Sequence, residues 1–157
     1  MAEYIKGVTL SGGTRAGFLW GNDGSFGQTM AATAGLSSGV FAFSWIFRAQ
    51  VGVSGTAGAA HLPSGWKELY GGGVKASIGV LTLPEAGGVT VGAEVLNVGV
   101  RLLAQINVPL PIEALTSNNV FVSLHAGYEH NLMTDYKTRP THMHGFFLSA
   151  SVNAFRY

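Results

Sequence analysis

Apolar side chains fall on every second position of this chain for long stretches, and no segment repeats at helical spacing. Leu96, Val98, Val100, Leu102, Ala104, Ile106 and Val108 are all apolar, while Asn97, Gly99, Arg101, Leu103, Gln105 and Asn107 stand between them. The same period of two runs through Met30–Leu36, Phe41–Val53, Val74–Val80, Val120–Tyr128 and Phe146–Ala154. Side chains two apart on a strand share a face, so each run is a strand with one apolar side. Gly12-Gly13, Asn22-Asp23-Gly24, Ser37-Ser38-Gly39 and Pro84-Glu85-Ala86-Gly87-Gly88 carry turn chemistry. The pattern predicts about eight strands, at 4–11, 14–21, 25–36, 39–54, 73–83, 89–108, 119–131 and 142–156. Longer loops are expected at 55–71, 109–118 and 132–141. At Glu94-Val95-Leu96 the apolar phase switches from odd to even, which either a β-bulge or a tight turn produces.

Alternation does not say which face is inside, and composition bears on that choice. Charged residues make up only 11% of the 157 positions, against about 25% in ordinary soluble domains. The face opposite the apolar one is mostly Gly, Ser, Thr, Asn and Gln, which suits a crowded lumen better than a water-facing surface. Arg15, Arg48, Lys75, Glu94, Arg101 and Glu129 all fall on that polar face, and Lys6 and Arg156 sit near strand ends. Such an arrangement predicts an all-β, single-domain (1–157), up-and-down antiparallel barrel of the transmembrane type, with those six charges as a lumen network. No run of about 20 apolar residues exists, so the chain has no transmembrane helix. A net charge of +1 gives no case for nucleic acid. No cysteine is present for a disulfide or thiolate site, and no cofactor is expected. The opening Met1-Ala2-Glu3-Tyr4-Ile5-Lys6 does not read as a secretory leader.

On strand count, alternation and its final stretch, Phe146 to Tyr157, the chain resembles small bacterial outer-membrane β-barrels of the eight-stranded class. Tyr157 and Phe155 correspond to the aromatic end of the last strand in that class, although Tyr157 is in phase with the polar Asn153, Ser151 and Ser149. The resemblance implies an outer-membrane location, a bilayer or detergent as the partner of the wall, and a non-enzymatic role in which loops bind a partner or ligand. Several copies could also assemble. A soluble or assembly-forming β-barrel or sandwich subunit (a shell, tube or lipid carrier) is the competing class, and a membrane lipid hydrolase the third.

Three residue sets carry candidate chemistry. Ser123, His125 and Glu129 share a strand face and contain the elements of a Ser/His/carboxylate hydrolase. Residues two apart on a strand lie about 6.6–7 Å apart, so the plainer expectation is lumen packing, with Glu129 paired to Arg101 or Arg48. His130, His142 and His144 gather at one rim, where they are metal-ligand candidates or ordinary amphipathic rim residues. Trp66, Tyr70 and Tyr136 stand in the expected loops, as ligand contacts or interfacial anchors. Gly35-Leu36-Ser37-Ser38-Gly39 matches the G-x-S-x-G string, but its flanks are strands rather than the strand–turn–helix that the motif needs.

Overall fold

The computed structural model describes residues 5–21, 24–42, 47–62, 65–82, 85–110, 120–133 and 141–156. They form eight strands: β1 (Ile5–Gly21), β2 (Phe26–Ala42), β3 (Phe47–Leu62), β4 (Gly65–Thr82), β5 (Glu85–Leu96), β6 (Gly99–Leu110), β7 (Val120–Met133) and β8 (Thr141–Arg156). Each strand pairs antiparallel with its neighbours in chain order, and β8 pairs back onto β1, so the sheet closes into a barrel. Closure removes the exposed edges that an open sheet would leave.

The register fixes the tilt. Stepping across paired residues from Ser11 leads through Gly35, Ser54, Gly73, Glu94, Arg101, Asn131 and Met143 and returns to β1 at Gly21, ten residues further on. Ten residue rises of ~3.3 Å against eight strand spacings of ~4.8 Å correspond to a tilt of about 40°, within the usual range for barrels. One rim carries the β1–β2, β3–β4, β5–β6 and β7–β8 connections and is called here the hairpin rim. Both ends of the strand series lie at the other, terminal rim.

The expected strand number is found, with different boundaries. Gly12-Gly13 and Ser37-Ser38-Gly39 are not turns but lie inside β1 and β2. At Gly13 the reason for glycine is close approach: an added Cβ would stand 2.8 Å from the Cα of Ser151 on β8. The expected loop over 55–71 is the end of β3 and the start of β4, joined at 63–64. Its many small residues hid the alternation. The expected single strand 89–108 is β5 and β6, and the phase switch is a tight turn at Asn97-Val98. Gly99 follows with φ 145°, a conformation that side chains disfavour. Asn97 locks this turn to β4: its amide oxygen accepts from the Tyr70 N–H at 2.9 Å and its amide nitrogen donates to the Glu68 carbonyl at 2.7 Å.

Candidate functional site

Exposure alternates along every strand in the sense opposite to that of a soluble protein. On β6, Val100, Leu102, Ile106 and Val108 are 43–61% exposed, whereas Arg101 is fully buried and Asn107 is 8% exposed. Leu124 and Val152 point outward as well, and Glu129 is fully buried. The wall is therefore apolar and the lumen polar. On β1 the exposed apolar side chains run from Val8 to Phe18, with Trp20 beyond them toward the hairpin rim; the ten residue steps from Val8 to Phe18 climb about 25 Å at this tilt, the height of the apolar band on outer-membrane barrels. Exposed Trp20, Phe26, Trp66, Tyr70, Tyr128 and Phe146 all lie in the half of the wall nearer the hairpin rim.

Inside, the lumen is layered. Leu19, Leu62, Leu69, Leu96, Val98, Met133 and Met143 form a buried apolar cluster, each at or within four residues of a strand end at the hairpin rim. This plug packs that end of the lumen with apolar side chains.

Beneath it sit four charges that balance in sign. The Arg101 guanidinium donates to Glu94 at 3.1 Å through Nη1, and Arg15 approaches the same Glu94 oxygen at 3.7 Å. Thr56 donates to the other Glu94 oxygen at 3.3 Å. The Nε of Arg101 lies 2.9 Å from Glu129 Oε2, but its hydrogen is aimed at Asn131 Oδ1, 3.1 Å away. Charge rather than an aligned hydrogen bond therefore holds Glu129, and neither of its oxygens has an aligned donor. Arg15 also stacks over the Phe147 ring at 4.7 Å, a cation–π contact.

Toward the terminal rim the contents are mostly uncharged polar side chains, with Lys75 among them. Gln105 Nε2 donates to Asn107 Oδ1 at 2.8 Å, and Asn107 Nδ2 donates to Thr90 Oγ1 at 2.9 Å. His125 touches Asn107 through Nδ1 and Ser151 through Nε2, both at 2.7 Å. Lys75 donates to Ser11 at 3.4 Å, and Gln50 donates to Thr9 at 2.8 Å.

Arg15, Lys75, Glu94, Arg101 and Glu129 thus all point inward. The side chain of Arg48 and the whole of Tyr136 lie outside the described residues. Ser123, His125 and Glu129 share a face without forming a working set. Glu129 stands beside Arg101, Ser123 accepts from Asn153 Nδ2 at 3.2 Å, and the ring of His125 reaches Ser151 instead. His130, His142 and His144 cluster on the outer wall, with His130 Nε2 and His142 Nδ1 3.2 Å apart and His144 edge-on to Trp20. No group of three donor side chains among the described residues is placed to hold a metal ion. Trp66 and Tyr70 are on β4 rather than in a loop, facing outward at 65% and 55% exposure. Ser37 of the G-x-S-x-G string lies inside β2 and is buried, with no turn to present it.

The alternation pattern did not reveal Asn131, Thr56, Phe147 or the apolar plug. Phe147 occupies the polar face because Gly127, its direct partner on β7, leaves room for the ring. A Cβ at Gly127 would lie 2.8 Å from Phe147 Cε1. Gly127→Leu is therefore expected to lower stability by about 1–3 kcal/mol through overpacking. A lower urea midpoint at unchanged slope checks this.

No protein-family model matches the chain, and neither does any curated protein. Its structure is similar to a crystal structure of Neisserial surface protein A, with a TM-score of 0.46 and 15% sequence identity over 94% of this chain and 96% of that one. The closed, eight-stranded, antiparallel order is the architecture that the sequence resemblance implied.

Proposed function

We propose that the chain is a barrel of the outer-membrane type, seated in a lipid bilayer, with a sealed lumen and a hairpin rim that meets a partner or ligand. The observation that carries this reading is the sense of the alternation: hydrocarbon-like side chains cover the wall, and the buried charges are turned inward. A wall of this kind in water would leave a large apolar surface uncovered, which soluble monomers avoid. A lipid carrier needs the reverse, an apolar lumen, and here the lumen is lined by Arg, Glu, Asn and Ser. Trp20, Trp66 and Tyr70 near the rim suit the headgroup level, where amphipathic rings are favoured.

Refolding from urea into detergent micelles, followed by gel migration with and without boiling, tests the bilayer reading. The expected result is a compact unboiled species that shifts on heating. A monodisperse folded chain without detergent would contradict it. In planar bilayers the same preparation is expected to show no ion conductance, because the apolar plug and the charge layer fill the bore.

A further inference from the structure

We infer that Ser151 is an activated nucleophile, with His125 as its general base and Asn107 as the residue that orients the ring, in a lumenal site that accepts a short acyl group from an ester. The three come from adjacent strands: Asn107 on β6 is the direct partner of His125 on β7, and Ser151 on β8 lies on the diagonal. Ser151 Oγ to His125 Nε2 and His125 Nδ1 to Asn107 Oδ1 are both 2.7 Å.

The surrounding network sets the direction of these bonds. The Asn107 amide nitrogen is committed to Thr90 Oγ1, so its oxygen faces both Gln105 Nε2 and the imidazole. An amide oxygen can only accept, which places the ring hydrogen on Nδ1 and leaves Nε2 with a free lone pair. In that tautomer the lone pair accepts from the Ser151 hydroxyl at 2.7 Å, a shorter path for its hydrogen than Asn153 Oδ1 at 3.5 Å, while Ser151 Oγ itself accepts from Asn153 Nδ2 at 3.1 Å. This is the tautomer and the order of groups needed for base-assisted attack by a serine. Ser123, which lacks a histidine partner, has neither feature. The three groups border a cavity of about 100 Å³, also lined by Ser11, Arg15, Lys75 and Gln105. That volume limits the acyl part to a few heavy atoms, and the charged groups on the lining are Arg15, Lys75 and Glu94, the last paired with Arg15.

In the step itself, Ser151 Oγ adds to the ester carbonyl carbon as its proton passes to His125 Nε2. The carbon–oxygen bond to the leaving group then breaks, the alkoxide departs with that proton as an alcohol, and the acyl group stays on Ser151. Water repeats the sequence to release the acid and restore the hydroxyl.

The test treats the full refolded chain with 4-nitrophenyl acetate and locates the added acetyl group by peptide mass spectrometry. The expected result is one acetyl on Ser151, formed roughly 10²–10⁴-fold more slowly in His125→Gln. Asn107→Asp, which keeps an oxygen toward the ring, should retain most of the rate, whereas Asn107→Leu should lose at least about tenfold, the low end of such positioning effects. Ser123→Ala should behave as wild type. Each variant is first shown to keep its heat-dependent gel shift. If the folded wild-type chain carries no acetyl at Ser151, the inference falls whatever the variants do. It falls equally if folded His125→Gln acylates Ser151 at the wild-type rate.

Discussion

Arg101→Met is expected to lower the stability of the folded barrel by about 3–5 kcal/mol, the usual range when one partner of a buried ion pair is removed. Arg101 is fully buried and stands between Glu94 at 3.1 Å and Glu129 at 2.9 Å. Without it, Glu94 keeps Arg15 and Thr56. Glu129 keeps only the more distant charge of Arg15, because Arg101 is the cation that pairs with it directly among the described residues. The loss should therefore come mainly from Glu129, and the double variant Arg101→Met with Glu129→Gln should lose less than the sum of the two single changes. Urea unfolding from micelles at several protein concentrations measures this. Additive losses would mean that the two groups do not interact.

Val53→Arg addresses the other face of the same wall. Val53 lies near the middle of β3, points outward and is 57% exposed. A cation there would stand at mid-bilayer on the lipid side, costing about 2–4 kcal/mol, while the same change near an interface costs about 0–1. Gln28→Arg, an exposed outward position three residues into β2, supplies that comparison. The expected outcome in lipid vesicles is a large loss for Val53→Arg and a small one for Gln28→Arg. Equal losses would show that depth in the wall has no energetic meaning.

How much of this was legible from residues alone follows from what side chains report. Period-two alternation reports faces, and it placed Val100, Leu124 and Val152 opposite Arg101 and Glu129, as the barrel has them. It reports ends poorly. Gly55, Gly58 and Gly71–Gly73 carry no side chain to alternate, so the hairpin of β3 and β4 read as a loop. Glycine also misled in the other direction: Gly12-Gly13 looks like a turn but is where β1 and β8 come close. The phase switch at Glu94-Val95-Leu96 did mark a real event, the Asn97-Val98 turn. The lumen chemistry needed register. That His125 meets Asn107 and Ser151 rather than Ser123 depends on which residues face each other across β6, β7 and β8, and no spacing within one strand encodes that. The plug was hidden for a similar reason, since Leu19, Leu69 and Met143 break the polar face only at strand ends.

The 157 residues contain no cysteine, so single cysteines can be introduced one at a time as reporters without competing thiols. A nitroxide label walked along β6 from Val100 to Val108 in lipid vesicles, with oxygen and a water-soluble nickel complex as collision partners, tests directly which way the strand faces. At Val100, Leu102, Ala104, Ile106 and Val108 the label should meet oxygen and escape nickel; at Arg101, Leu103, Gln105 and Asn107 oxygen contact should fall at every second step. Nickel contact at the even positions, or a profile with no period of two, would mean that lipid does not cover this wall.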